Sequence, residues 1–455
     1  MTTPNPECIP QLTLTFHPDL PIVVRFDAPE ISSDAGVLLQ RQVDDALGLT
    51  AGFAACLPDD RDPQRVVHDR REQSRQRIYQ IAQGYEDCND ADRLRHDPLL
   101  KSACDQVPED DGLSSQPTLS RFENAFDWRT LGRLVQWFET SYLEVLPSET
   151  DVVILDIDAT DDETHGRQQL SFFHGYYDHY MYHPLLVYDG LSGNLVTALL
   201  RPGNHHANRN ALGTLRRVIR KIRKRLPTAS IVVRGDSAFC SPKILKGLEK
   251  LNRKYGDIDY LFGIAKNSRL GRKLEPLMEK VRLRQVGSQK ETQFTHFAYA
   301  ARSWDRERWV IGKAEVNRLG DNPRYLITSI RGFEPEMLYR AYCERGRCEL
   351  WIKDFKNALS ADRLSCSRFL ANSFRLLLHA AAYRLMHAMR ENVRPLSDTL
   401  GRSQFDTLRL KILRVAAQVT QTKRRILVRL PRAFPDAEVF GQLATRLAQV
   451  PPAPT

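Results

Sequence analysis

The stretch Val152-Val-Ile-Leu-Asp156-Ile-Asp158-Ala-Thr160 sets the fold of this chain. A short run of β-branched and apolar residues leads into two acids and a polar stop, the pattern of a buried central strand. Side chains alternate across a strand, so Asp156 and Asp158 share one face. Two carboxylates on one face of a core strand are costly to bury unless positive charge is held beside them. A divalent cation meets that need, because hard oxygen ligands suit Mg²⁺ or Mn²⁺. The alternative is a pair of strand-end acids satisfied by backbone N–H groups or by an arginine.

Downstream, Gln169–Gly175, Tyr180–Tyr188 and Leu195–Leu200 alternate like strands, with turns at Gly175 and Asp189-Gly190. The acidic strand therefore opens an antiparallel meander. Asn208–Leu226 is an amphipathic basic helix, read as the outer helix of an α/β sheet rather than as a DNA contact. Ser230–Ser237 is a second buried strand, ending at Asp236. A helix over Pro242–Lys254 and a strand over Tyr260–Ile264 follow, giving a mixed sheet with helices packed on it. Across residues 266–330, Phe294–Tyr299, Arg308–Val316 and Arg324–Ile330 again alternate like strands, a β-rich insertion. Its Trp304 and Trp309 either stack on an extruded base or fill the insertion's own core. His165, His174, His179 and His183 suggest zinc, but strand surroundings, and Tyr180 where a glutamate is needed, argue against it.

Arg340–Lys356 reads as a helix. At about 100° per residue, Tyr342, Arg345, Glu349, Lys353 and Lys356 fall in one stripe. One carboxylate among cations and a tyrosine suits a metal-binding acid flanked by groups that grip phosphates. Pairing within the helix is the plainer alternative.

Two strand-borne acids followed by a helix-borne one, on a mixed sheet, resemble the RNase-H-like catalytic core of DDE transposases. The spacing Tyr342-x₂-Arg345-x₃-Glu349-x₆-Lys356 is similar to the Y-R-E-K signature of bacterial insertion-sequence transposases, the insertion-sequence four superfamily. Leu155-Asp-Ile-Asp-Ala-Thr-Asp-Asp162, Phe172-Phe-His-Gly-Tyr-Tyr-Asp178 and Arg234-Gly-Asp-Ser237 resemble its thirteen-eighty-like subgroup, and the likeness runs from about Asp27 to Pro431. The resemblance implies Asp158, Asp236 and Glu349 as the catalytic, metal-binding triad. Asp158 is taken over Asp156 because Asp158-Ala-Thr160 fits the family's first-acid motif. It further implies two Mg²⁺ or Mn²⁺ ions roughly 4 Å apart, bridged by Asp158. One would activate water, the other stabilise the leaving 3′ oxygen, and the freed 3′-OH would attack target DNA. Tyr342, Arg345 and Lys356 are expected on the backbone of the transposon end, with Lys353 beside them. The implied partners are double-stranded DNA, as ends and as target, and a second copy of the chain in an active homodimer.

The expected plan is a helical DNA-binding region over 1–150, the core over 151–265, the insertion over 266–330, the closing helix of the core over 331–366 and a helical basic region over 367–455. In the first region, Ser33-Asp34 can cap a helix running to about Leu47. A further helix starting at Ser114–Pro117 carries Arg121, either toward a DNA groove or into solvent. In the last, Phe369–Met389 is an apolar helix. Arg409–Arg432 holds eight Lys/Arg and no acid, among them Lys423, Arg424 and Arg425, which favours phosphate contact. The end beyond Val450 is expected to fray.

Lys and Arg number 66 against 56 Asp and Glu, a net charge of +10 that favours a polyanionic partner. The eight cysteines, from Cys8 to Cys366, form no Cys-x-x-Cys pair and read as reduced thiols rather than a zinc site or a disulfide framework. No stretch reaches the roughly 20 apolar residues of a membrane span, and no signal-peptide core opens the chain. A cytoplasmic, nucleoid-associated protein is expected. Asp156-Ile-Asp158-Ala-Thr160 also fits the nucleophile motif of haloacid-dehalogenase-like phosphatases, although Cys240 stands where a later acid is needed. A DNA-binding derivative without catalysis is the other rival.

Overall fold

The computed structural model describes residues 11–14, 16, 19–20, 22–287 and 289–453. Contacts divide the chain into two compact units, one of residues 1–48, 62–120 and 388–455, the other of 49–61 and 121–387. The boundary expected near Leu146–Thr150 does not coincide with this division. The helix Trp128–Glu144 belongs to the second unit, where its Leu134, Phe138 and Tyr142 are buried.

The second unit is built on one nine-stranded sheet. Its strands include β1 (Val152–Ala159), β2 (Leu185–Asp189), β3 (Leu195–Leu199), β4 (Ser230–Gly235), β5 (Ile258–Gly263), β6 (Glu291–Tyr299), β7 (Arg308–Asn317) and β8 (Arg324–Thr328). They lie in the order β6-β7-β8-β5-β4-β1-β2-β3. β4 runs parallel to both β1 and β5, and the remaining pairs along this order are antiparallel. The portion β3-β2-β1-β4-β5 is the RNase-H-like arrangement. Parallel strands need a crossover, and the helix α2 (Pro242–Tyr255) supplies it between β4 and β5. α2 starts on Ser241, whose hydroxyl accepts from Ile244 N–H, and stops at Gly256 with φ +72°. Before it, α1 (Ala211–Arg225) buries Leu212, Leu215, Val218, Ile219 and Ile222 and turns its basic side outward. Both helices share one core with Leu155, Ile157, Val187, Ile231, Val233 and Phe262 of the sheet.

Three expectations change here. First, the meander is β1-β2-β3 only. Gln169–Gly175 and the start of Tyr180–Tyr188 leave the main sheet and form a small one, from strands Asp162–Glu163, Phe172–His174 and His179–Tyr182. His183-Pro184 breaks the longer run, since proline cannot donate to a ladder. Second, residues 266–330 open with a helix, α3 (Ser268–Arg284), despite Pro276 in its interior. Its Leu270, Leu274, Met278 and Val281 bury a stripe against Val310, Ala314 and Tyr325. The strands of this region extend the core sheet through β8 on β5. Trp304 packs in the core of this extension. Third, Ser33-Asp34 does not cap the helix Val37–Leu47: Gly36 stands at the cap position and Asp34 instead accepts from Tyr85 O–H.

The helix Phe369–Val393 buries Phe374, Leu378, Ala381 and Leu385. Within the second unit, Tyr383 O–H donates to the Gly193 carbonyl and Arg384 donates to the Leu195 carbonyl next to β3. In the first unit the expected helical basic region is partly strand: Ala417–Thr422 and Arg425–Arg429 form a hairpin whose first strand pairs Ile31–Ser32. Residues 61–77, which hold six arginines, are also partly core. Arg75 and Arg77 are fully buried, and Arg75 pairs with Asp44 and Asp105. No helix among the described residues is long and apolar enough to cross a membrane. Cys8 and residues 454–455 fall outside the described residues, and Ala453 N–H, in the end expected to fray, donates to the Asp45 carbonyl. The other seven cysteines are free thiols.

Candidate active site

β1 presents its two acids differently. Asp156 is fully buried and held at two points by Arg234 of β4, Nε to Oδ1 at 2.6 Å and Nη2 to Oδ2 at 2.7 Å. The parallel register sets Arg234 directly opposite Asp156. Arg234 also donates to the Ala341 carbonyl at 2.5 Å, tying the sheet to helix α4 (Pro335–Cys343). Gly190 keeps the space clear, because a Cβ there would lie 2.6 Å from Arg234 Nη2 and 2.7 Å from Asp156 Oδ2. For Asp156, then, the arginine-satisfied alternative holds. A phosphatase nucleophile at this position would have to be free, and Asp156 is not.

Asp158 is partly exposed. Its Oδ2 accepts from Arg345 Nη2 at 2.6 Å, and its Oδ1 accepts from Ala159 N–H. Burial lifts its carboxyl to about 6 against the pull of Arg345, with Asp236 and Glu349 adding to the rise. Three acids from β1, the end of β4 and helix α5 (Gly346–Lys353) thus share one electrostatic field. Asp236 follows β4 immediately and caps a single 3₁₀ turn through Ala238 N–H. Glu349 stands exposed on α5.

The stripe Tyr342 to Lys356 is not one continuous helix. α4 ends at Cys343, α5 begins at Gly346, and a π-helical turn runs over Asp354–Ala358. The break turns Arg345 onto Asp158. It also leaves Lys356 bound to Asp161, 2.9 Å from its carboxylate and 3.0 Å from its carbonyl, with Asp362 at 3.7 Å. Lys353 stays exposed. Tyr342 is half-buried, and its hydroxyl fills the space beside Gly263, 2.9 Å from where a Cβ on that glycine would stand. Burial raises its pKa, Arg345 opposes the rise, and Asp236 and Asp158 add to it. Asp236, Ser237, Tyr339 and Tyr342 line a cleft of about 390 Å³ with Lys266 and Arg324. These two cations, together with Arg234 and Asp161, escaped the sequence reading. Arg234 shares a strand face with Asp236, two residues on, but its partner Asp156 is set by strand pairing rather than by any local signal.

The other expected contacts lie elsewhere. Arg121 is exposed on the helix Gln116–Glu123. Lys423, Arg424 and Arg425 are exposed at the hairpin turn of the first unit, whereas Arg409 of the same basic run is buried against the Ala82 carbonyl and Asp406. His183 Nδ1 bonds the His205 carbonyl.

Carboxylates are the donor set that Mg²⁺ and Mn²⁺ prefer, and the burial and neighbouring acids that lift Asp158 are what a cation would offset. Among the described residues, no three Asp, Glu, His or Cys side chains group closely enough as they stand to hold an ion. Arg345 currently supplies the positive charge at Asp158. The donor chemistry fits a divalent metal, with Arg345 as its competitor.

A family model described as transposase DDE domain group 1 matches residues 16–452. No curated protein gives a match. Among solved structures, the chain is similar to a cryo-EM structure of the piggyBac transposase synaptic complex with hairpin DNA, at a TM-score of 0.42 and 10% identity, over 93% of this chain and 86% of that one.

Proposed function

This chain belongs to the transposase DDE domain group 1 family, and from that premise we propose that it binds the ends of its own insertion sequence, cleaves them and joins the 3′-OH ends to target DNA. The Y-R-E-K pattern of Tyr342, Arg345, Glu349 and Lys356 supports the bacterial insertion-sequence four superfamily, thirteen-eighty-like subgroup. One observation carries the reading: Asp158, lifted by burial to about 6, lies within the field of both Asp236 and Glu349. Asp158, Asp236 and Glu349 would hold Mg²⁺ or Mn²⁺, which when bound would activate water and stabilise the leaving 3′ oxygen.

The chain's own residues do the positioning. Arg234 and Asp156 lock β1 to β4 and fix where Asp158 and Asp236 emerge. Lys266, Arg324 and Tyr342 line the cleft beside Asp236, placed to receive the phosphates of a DNA strand. Lys353, Arg121, Lys423, Arg424 and Arg425 would contact the duplex backbone, and a homodimer would bring two ends together. In-line phosphoryl transfer depends on such positioning and charge neutralisation more than on covalent catalysis. The test is incubation with a duplex spanning the element's end. Nicking in Mg²⁺ but not in EDTA, leaving a 3′-OH that a polymerase extends, is the expected result. A nick that survives EDTA contradicts the reading.

A further inference from the structure

The small three-stranded sheet that leaves the meander is unusual in what it shows to solvent. Its root is ordinary core: Met181 and Tyr182 are fully buried, Tyr182 O–H donates to the Gln169 carbonyl, and Gln169 N–H donates to the Ser367 carbonyl. Its outer half is aromatic and exposed. Phe173 is 50% exposed, Tyr180 60% and Tyr176, at the tip, 85%. Phe173 and Tyr180 are direct cross-strand partners with ring centroids 5.7 Å apart. Beyond this one cross-strand pair, so much exposed aromatic surface on a short hairpin marks a contact surface.

The hairpin is also anchored to the acids. The strand Asp162–Glu163, which pairs with the hairpin's second strand, follows β1 after only Thr160 and Asp161. On its inner side Tyr177 packs against His174, His179 and His183, with centroids 5.2 to 6.0 Å apart. His179 Nε2 lies 3.6 Å from Asp161, the carboxylate that Lys356 holds. Burial, Asp161, Asp158 and Asp236 together push the Tyr177 hydroxyl up to about 12, so it stays protonated, a donor beside the acid cluster. From Arg167 to Tyr180 the only acid is Asp178; Asp162 and Glu163 pair with Tyr182 and Met181 at the root, and His183 is buried with its imidazole held down to about 4, so it adds no charge. A polyanion can approach this surface.

We infer that the hairpin Phe172–Tyr182 is a stacking platform for unpaired nucleotides at the bond being cleaved, with Phe173, Tyr176 and Tyr180 receiving the bases. This rests on the function proposed above for the acid cluster. Aromatic faces accept any base, so the platform is indifferent to sequence and selective for unpaired strands.

The test compares the wild-type chain with Tyr176→Ala/Tyr180→Ala and with Tyr176→Phe/Tyr180→Phe. Fluorescence anisotropy measures binding to a dT12 single strand and to a 12-base-pair duplex, beside melting temperature and nicking of the end duplex. The alanine pair is expected to bind dT12 at least tenfold more weakly, to bind the duplex within twofold of wild type and to melt unchanged, while the phenylalanine pair binds dT12 like wild type. Unchanged dT12 affinity in the alanine pair, or no dT12 binding by wild type, overturns the inference. So does a change in oligomeric mass without a change in dT12 binding, which would assign the surface to a protein partner. Loss of dT12 binding in a chain that never nicks DNA would keep the platform and overturn the cleavage reading instead.

Discussion

Arg345 Nη2 sits 2.6 Å from Asp158 Oδ2, so a cation of the chain itself occupies the first acid of the cluster. Both side chains are largely buried, at 11% and 13% exposure. Removing one member of such a pair costs about 3–5 kcal/mol. Arg345→Gln is therefore expected to lower the melting temperature by several degrees, and 10 mM Mg²⁺ is expected to restore more of it than Mg²⁺ adds to wild type. Thermal scans with and without Mg²⁺ check this. Equal Mg²⁺ responses in the two proteins contradict competition at Asp158.

The proton is the second competitor. A carboxylate must be deprotonated to ligate a metal, and Asp158 titrates at about 6. Mn²⁺ affinity is expected to fall roughly tenfold from pH 7 to pH 5, since the neutral form dominates at the lower pH. Calorimetric titration at the two values measures it. Equal affinities would mean that Asp158 is not a ligand.

Asp156 and Asp158 separate by stability. Asp156→Asn leaves the buried Arg234 guanidinium without its charge partner, a loss of about 3–5 kcal/mol. Asp158→Asn also relieves burial and the repulsion from Asp236 and Glu349. Urea denaturation should therefore show a clearly larger loss for Asp156→Asn, while end cleavage is lost in Asp158→Asn. The reverse ordering would make Asp156 the first acid of the site.

Asp162 is buried with neither carboxylate oxygen hydrogen-bonded. Burial, then Asp362, hold its pKa well above the ordinary 3.8, against the pull of Lys356. The folded chain thus binds this proton more tightly than the unfolded chain does. Its contribution to stability is full below the ordinary aspartate value and is lost as pH rises toward the raised one. Asp162→Asn should match wild type in melting temperature near pH 4 and exceed it at pH 8. A variant that melts lower at pH 8 would show that the carboxylate is charged and needed.

Much of the fold was legible because local pattern and burial agree. The Val152–Leu155 run and the stripe of Leu212, Leu215, Ile219 and Ile222 each admit one reading. α3 was not read, because Pro276 and its many charges hide the spacing of Leu270, Leu274, Met278 and Val281 that the sheet buries. The candidate site could be proposed from residue types. Its wiring could not. Arg234 reaches Asp156 only through the register of two parallel strands distant in sequence, and the turn between α4 and α5 breaks a stripe drawn for an unbroken helix. Asp161, the partner of Lys356, carried no periodic signal at all.

The most direct test of the central claim is cleavage by Asp236→Asn and Glu349→Gln, one acid from the sheet and one from the helix. With a duplex spanning the element's end in Mg²⁺, both variants should lose at least ~10²-fold in nicking rate while binding that duplex within a few fold of wild type. Wild-type nicking by either variant would contradict a shared three-acid centre.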